Sequence, residues 1–256
     1  MNSQFPKIIH QVFGLWDNKI PNNIQKRIDS WKRLHPRYKY ILWNKKKCRD
    51  FIKKKFNWFL PIYDNYIYPV QRADSVRYFI LYTYGGIYSD IDLEPVKCIT
   101  PLLEKYKNKG SILYKSPNSE LLTNDFMISK PKNLFWKKMI SELINKHNFS
   151  SISKHLTIMY STGPLLLDDV YNVFGPKRRH VFIIDAKYIN NCDITTPKPA
   201  HNKKGYLRRY DGNSWHSIDS TLINFFVTHY KFIILIIIII ILLKYFISHI
   251  SVLNSN

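Results

Sequence analysis

Short apolar runs and amphipathic runs alternate along the first third of the chain. KIIHQVF at 7–13 and YKYILW at 38–43 are rich in β-branched and aromatic residues and read as strands. Between them Ile24, Ile28, Trp31 and Leu34 recur at helical spacing through Asn22–Leu34, and CRDFIKKKF at 48–56 reads as a second helix. A third helical run covers Ala73–Tyr84. It stops at Gly85 and Gly86, which suit a turn into the short strand IYSDIDL at 87–93. Strands alternating with helices predict an α/β domain on a mainly parallel sheet with helices on its faces. Thr195–Gly212, with two prolines and many basic residues, reads as a surface loop and a candidate lid.

The far end changes character. Phe232–Leu243 is an unbroken apolar run, FIILIIIIIILL, bordered by Lys231 and Lys244. As a helix it would cover about 18 Å, against a hydrocarbon core of roughly 30 Å. Spanning therefore requires residues on either side, with the lysines snorkelling toward the headgroups. The expected organisation is a folded α/β domain at 1–224, a membrane-anchoring helix at 225–250 and a short tail at 251–256. The opening MNSQFPKIIHQVF turns polar again at Asp17 and Asn18, so no cleavable signal peptide is expected.

Composition adds limits more than direction. Over 256 residues, 39 Lys and Arg against 18 Asp and Glu give a formal net charge of +21, on a chain that is 45% hydrophobic and 15% aromatic. A basic exterior on a substantial core follows. Such charge suits nucleic acid, anionic lipid or a phosphate-bearing substrate and selects none of them. Cys48, Cys98 and Cys192 are odd in number and far apart, which excludes a disulfide framework and a CxxC site. Richness in Ile, Lys and Asn marks an A/T-biased coding genome, of the kind found in large viruses and parasites. Asn148-Phe149-Ser150 is an N-glycosylation sequon.

Candidate chemistry concentrates in PVQRADSVRYFILYTYGGIYSDIDL at 69–93. On a helix, Asp74 and Arg77 lie three residues apart on one side. In an extended strand, Asp90 and Asp92 point to the same side. Two adjacent carboxylates repel, and a divalent cation bridging to phosphate oxygens offsets that cost. Mg²⁺ and Mn²⁺ need few protein oxygens when a diphosphate supplies the rest. His10 and Gln11 end the first strand, a common place for nucleotide contacts through backbone or side chain. Asn124 and Asp125 form a second polar pair, read either as a cap or as groups that position a sugar.

These pieces resemble the glycosyltransferase family with a D-x-D signature that includes yeast initiation-type α-1,6-mannosyltransferases and inositol phosphorylceramide mannosyltransferases. The matching blocks are PKIIHQ at 6–11, HPRYKYILW at 35–43, YPVQRADSVRYFILYTYGGIYSDIDLEP at 68–95, TNDFMISKPKNLFWKKMI at 123–140, LTIMYSTGPLLL at 156–167 and GNSWHSID at 212–219. The last two favour the sphingolipid branch. The resemblance implies a GT-A fold, a Rossmann-like mixed sheet flanked by helices, and retaining transfer of mannose from GDP-mannose to the inositol of inositol phosphorylceramide. It implies a Mn²⁺ cofactor, Mg²⁺ being the alternative, with Asp92 as direct ligand and Asp90 at the donor ribose or metal-bound water. It places Asp74 and Arg77 at sugar hydroxyls and the β-phosphate side. Ser214 and Trp215 would close over the diphosphate, and His216 would be a further metal ligand. The implied setting is a Golgi or other endomembrane, reached by a single pass through the C-terminal segment, with a regulatory subunit as a possible partner. Two departures stand out: the resembling enzymes have more extensive membrane anchoring, and Asn213 replaces a common serine.

In the expected mechanism the acceptor hydroxyl approaches on the face the diphosphate leaves, and a phosphate oxygen takes its proton. Double displacement through Asp125 is the alternative. Trp136, Lys137 and Lys138 are expected to touch the bilayer interface. Two rival functions stay open: a mannosyl- or hexosyltransferase acting on protein-linked or polysaccharide glycans, and a non-catalytic membrane-attached partner subunit. Nucleic acid is not an expected partner, because only the net charge speaks for it.

Overall fold

The strand and helix runs close, in the computed structural model, into a six-stranded sheet with helices on both faces. The structure describes residues 4–15, 19–116, 121–174, 181–189, 205–210 and 218–223, with positions 229, 234 and 238–241. The chain divides into two compact units, Met1–Ile152 with Leu156–Asn213, and Ser153–His155 with Ser214–Asn256. In chain order, β1 (Ile8–Val12), α1 (Asn22–Leu34), β2 (Lys39–Trp43) and α2 (Lys45–Lys55) lead to a 3-10 turn at Asn57–Phe59. Next come α3 (Leu60–Asn65), α4 (Pro69–Tyr84), β3 (Gly86–Ser89), β4 (Leu93–Pro95), α5 (Thr100–Lys105), β5 (Ser111–Tyr114) and β6 (Phe126–Ser129). The last described elements are α6 (Leu134–Asn145), α7 (Lys154–Ser161), α8 (Pro164–Val173), β7 (Val181–Ile184) and β8 (Leu207–Arg209).

Strand order is β2-β1-β3-β6-β5-β7, and β4 pairs with β8 in a separate two-stranded ribbon. β1 runs parallel to β2 and β3, and β5 parallel to β7, but β6 is antiparallel to both neighbours. Five of the six strands thus run in one direction, as expected of a mainly parallel sheet, and β6 is the antiparallel exception that makes it mixed. β5 and β6 are joined by residues 115–125, in which Lys115 bridges Leu122 in antiparallel fashion; a parallel pair needs a crossover of about a dozen residues or more, so the two strands run antiparallel.

Side chains alternate across the sheet into two cores. Ile9, Ile87, Ile112 and Ile128 pack with Trp31 of α1 and Leu102 of α5. Tyr88, Leu113 and Met127 pack against α2, α4, α6 and α8. α4 lies inside this second core, with Val76, Tyr78, Phe79, Ile80 and Leu81 all fully buried. It begins at Pro69, four residues before the expected start, because Pro69 fits the first helical turn and Gln71 Oε1 accepts the Tyr68 N–H at 3.0 Å. It ends at Gly85 and Gly86, with φ of 63° and 89°. A Cβ at Gly86 would lie 2.5 Å from Ile8 O, and one at Gly85 2.7 Å from Ser129 O, so β3 can enter between β1 and β6 only on glycine.

Other expectations change on the fold. β8 lies inside the stretch read as a surface loop, paired to β4 through Leu93↔Arg209, Glu94↔Arg208 and Pro95↔Leu207. Trp136 cannot meet a bilayer. It is fully buried on the core face of α6, stacked on Tyr78, and donates to Ser129 Oγ at 2.6 Å. Its neighbour Lys137 is exposed, while Lys138 pairs with Glu142. Cys48 is buried and Cys98 half-buried, both free thiols; Cys192 lies outside the described residues. Asn148 is exposed. Among the described residues no helix is long and apolar enough to cross a membrane, and the expected span at 225–250 lies mostly outside them. Within the second unit, Asp219 accepts the His155 N–H at 2.8 Å and the Ser153 hydroxyl at 2.7 Å.

His10, at the centre of β1, is fully buried between Trp43 and Gly85. Trp43 Nε1–H donates to Nδ1 at 3.1 Å, leaving Nε2 to donate to Gly85 O at 3.1 Å, a pattern only the neutral ring satisfies. Burial pushes its pKa down from 6.5 to about 4, the Gly85 bond opposing. Stability from the neutral ring is thus fully present above pH 6.5 and is lost as pH falls toward and through about 4. Denaturant unfolding of the parent and of His10→Gln across that window should show the parent losing about 3 kcal/mol more than the variant. Parallel pH profiles would contradict this assignment.

Candidate active site

Arg77 is the hub of the site. Its place on α4 turns the side chain back along the helix toward the Asp74 turn. Nη2 pairs with Asp74 Oδ1 at 2.8 Å, Nη1 donates to Asn124 O at 2.7 Å and faces Asp90 Oδ1 at 3.3 Å, and Nε donates to Ala73 O at 3.2 Å. The guanidinium lies 4.7 Å from the centre of the Tyr88 ring, whose hydroxyl donates to Asp90 Oδ1 at 2.7 Å. Asn124 Nδ2 donates to Asp74 Oδ1 at 3.2 Å and to Tyr78 Oη at 3.1 Å, and Thr162 Oγ1 donates to Asp74 Oδ2 at 3.4 Å. Burial pushes the Asp74 carboxyl up to about 6, with Arg77 opposing and Asp90 reinforcing. Burial also works against the Arg77 charge, but Asp90, Tyr88 and Asp74 outweigh it and hold the pKa above the ordinary arginine value. The Arg77 and Asp74 side chains are 5% and 7% exposed, and that of Asp90 is 30%, so Asp90 is the member that meets solvent.

Asp90 and Asp92 do not share one strand. β3 ends at Ser89, where its pairing with Phe126 ends, and β4 begins at Leu93 to pair with β8, so the two carboxylates sit on the turn between. That turn is bonded on several sides. Asp90 N–H donates to Asp125 O at 2.7 Å, Leu93 N–H to Asp90 O at 3.1 Å, and Tyr210 N–H to Asp92 O at 2.9 Å. Gln11 Nε2 donates to Asp90 O at 3.1 Å while its Oε1 accepts from Tyr40 Oη at 2.6 Å. This bond joins the carboxyl ends of β1 and β3, where the strand order switches direction and where open α/β sheets hold ligands.

Asp92 faces the ribbon. Its Oδ2 lies 3.9 Å from Arg209 Nη1, and its buried Oδ1 has no hydrogen-bond partner among the described residues. Burial and the Asp90 charge push its carboxyl up to about 6, Arg209 opposing. Arg209 also pairs with Asp125, and Tyr114 Oη donates to Asp125 Oδ1 at 2.7 Å. Among the described residues, Asp74, Asp90, Asp92 and Asp125 thus share only Arg77 and Arg209 as paired cations. The carboxylate excess and the orphaned Asp92 oxygen fit a divalent cation. Among the described residues no three His, Cys, Asp or Glu side chains converge on a metal position, so water or phosphate oxygens would complete the shell.

Five of the residues expected to carry chemistry, Asp74, Arg77, Asp90, Asp92 and Asp125, therefore come together. His10 and Gln11 lie beneath them with their side chains engaged inside the protein. Ser214, Trp215 and His216 lie outside the described residues. Arg209, Tyr88 and Tyr114 were missed. Tyr88 had a signal, since it stands two residues before Asp90; Arg209 sat in an apparently generic basic stretch.

Residues 21–109 match the family described as the glycosyltransferase sugar-binding region containing DXD motif, with Asp90-Ile91-Asp92 as that motif. The fold is GT-A-like, and residues 21–109 carry the DXD region of this family of glycosyltransferases. Its relatives are more particular. It is 32% identical over 232 residues to inositol phosphoceramide mannosyltransferase 3 of Schizosaccharomyces pombe, covering 90% of this chain and 61% of that one. It is 33% identical over 234 residues to mannosyl phosphorylinositol ceramide synthase SUR1 of Saccharomyces cerevisiae, covering 88% and 55%. The chain thus spans between half and two thirds of the length of these relatives. Among solved structures, the UDP-bound glycosyltransferase domain from the YGT toxin superposes with a TM-score of 0.53 at 11% identity, over 72% of this chain and 80% of that one, a likeness of fold.

Removing the hub should be costly, because it strands two carboxylates. Arg77→Met is expected to lower stability by about 3–5 kcal/mol in denaturant unfolding. Adding Asp74→Asn to it should restore part of the loss, since the neutral amide needs no cation. A double variant as unstable as the sum of its single variants would disprove the coupling.

Proposed function

We propose that this protein transfers mannose from GDP-mannose to the inositol headgroup of inositol phosphorylceramide, with retention of configuration and with Mn²⁺. The observation that carries the reading is the turn of Asp90 and Asp92 locked over the buried Asp74–Arg77 pair. The names of the two yeast relatives, an inositol phosphoceramide mannosyltransferase and a mannosyl phosphorylinositol ceramide synthase, support the sugar and acceptor class.

Asp92, with its free Oδ1, would hold the cation, and Asp90 would bind the donor ribose or cation-bound water. Bound there, the metal supplies positive charge against that developing on the leaving diphosphate. Arg77 fixes Asp90 and neutralises it in part, so that the turn keeps one geometry through the reaction. The C1–O bond to phosphate breaks, the C1–O bond to the acceptor hydroxyl forms on the same face, and the leaving phosphate oxygen takes the hydroxyl proton. Asp125 is engaged by Arg209 and Tyr114, which favours this single step over a covalent adduct on that carboxylate. Ser214, Trp215 and His216 would close the diphosphate side. The apolar segment at 225–250 would anchor the domain to an endomembrane of the Golgi type, at the bilayer surface where the acceptor head lies, and a regulatory subunit would belong to the assembly.

Purified full-length protein in micelles containing inositol phosphorylceramide, assayed with a panel of nucleotide sugars, should transfer mannose from GDP-mannose only with Mn²⁺. Asp92→Asn should cut turnover by about 10²–10³-fold or more. The variant should fold at least as stably as the parent above pH 6, because it removes a buried carboxylate that resists ionisation up to about that pH. Turnover on soluble oligosaccharides alone would replace this reading with a glycan-directed enzyme. A folded protein that binds no donor with Mn²⁺ would make it a partner subunit.

A further inference from the structure

Outside the site, the most unusual surface is α2. Its sequence, KKKCRDFIKKK, sets two lysine triplets on either side of the buried Cys48, Phe51 and Ile52. All six lysines are exposed. The C-terminal triplet complements the helix dipole, but Lys45, Lys46 and Lys47 stand in the first turn, against it, with no acidic residue there. The only ion pairs on α2 among the described residues are Lys46–Asp50 at 2.6 Å and Arg49–Asp64 at 2.7 Å, both exposed and worth little. Like charges crowded on one short helix destabilise it. Lys47 Nζ donates to Leu42 O at 3.2 Å, another exposed contact, and a local rule broken with only such weak internal partners points to an external one.

The residues that follow supply the second observation. Trp58, in the 3-10 turn that follows α2, is 55% exposed, although indole is normally among the better-buried side chains. It rests edge-on against Phe56 and Phe59, which hold it at the surface rather than inside. Lysines beside an outward indole match the headgroup region of an anionic membrane: ammonium groups meet lipid phosphates, stems and ring meet the acyl boundary. A nucleic-acid surface built on stacking presents aromatic faces within a basic groove, and a lone indole at the end of a convex helix forms no such groove.

We infer that the outer face of α2, with Trp58 at its end, docks on an anionic lipid bilayer. This contact is separate from the apolar C-terminal segment and independent of the transfer reaction proposed above. It would hold the catalytic domain in a set orientation on the bilayer.

The test uses the full chain reconstituted into vesicles of phosphatidylcholine alone or of phosphatidylcholine with phosphatidylserine. Subtracting the Trp58→Phe spectrum isolates the fluorescence of Trp58. With phosphatidylserine that difference spectrum should shift to the blue and be quenched by lipids brominated near the headgroup. In the triple variant Lys53→Gln, Lys54→Gln, Lys55→Gln the quenching should fall about fivefold or more, and added salt should reverse it in the parent. All four substitutions are on the exposed surface, and far-UV circular dichroism establishes that the fold persists. Equal response on the two vesicle types, no response on either, or lysine-dependent binding of single-stranded RNA with no lipid response would each overturn the inference.

Discussion

One buried guanidinium ties the catalytic end of the molecule together. Arg77 draws Asp74 from its own helix, Asp90 from the turn after β3 and a carbonyl from the segment before β6, and it does so almost out of contact with water. Such a centre is a poor way to gain stability, since desolvating three charges costs about as much as their attraction returns. What it secures is geometry: the charges cannot separate without one of them being left unpaired in the interior. In the proposed reaction the donor would bring two phosphates and a cation into the same space. A turn that rearranged as those charges arrived would lose the advantage of preorganisation.

The frame around that centre is built from backbone as much as from side chains. Gly85 and Gly86 let β3 enter beside β1, and His10 donates to the carbonyl of Gly85. One residue on, Gln11 holds the carbonyl of Asp90. β1 thus clamps β3 at the point where it leaves α4 and again where it reaches the reactive turn. These two adjacent polar residues of β1 serve the site at one remove, through the strand that leads into the turn of the carboxylates. This explains why both are fully buried in a region open to ligand.

Legibility followed the range of the interaction. Asp74 and Arg77 could be paired from spacing alone, because one helical turn fixes their relation; Asn22–Leu34 was equally plain, since its stripe is local. Asp90 and Asp92 were visible as a pair, but their conformation was not. The run IYSDIDL has strand character throughout, and only the partners β6 and β8 decide that it breaks in the middle. Arg209 meets Asp125 across 84 positions, and a three-residue strand is too short to show alternation, so no pattern announced it. Trp136 shows the converse error. An indole beside two lysines suits an interface, yet the helix periodicity of Phe135, Trp136, Met139, Ile140 and Leu143 placed it in the core.

Charge became informative only once the fold had assigned it a place. A net charge of +21 describes the whole surface and distinguishes no partner. Inside, the sign reverses: the catalytic end gathers four carboxylates around two guanidiniums. A cation entering a molecule with so positive an exterior is repelled at long range and attracted only at short range, whereas a nucleoside diphosphate is attracted at both. For the proposed metal-dependent reaction, that asymmetry favours a metal that arrives bound to the diphosphate over one that binds before it. It also agrees with a carboxylate set too small to hold a metal alone among the described residues. In the proposed reaction the donor's phosphates would be the leaving group and would also supply the oxygens that the carboxylates do not.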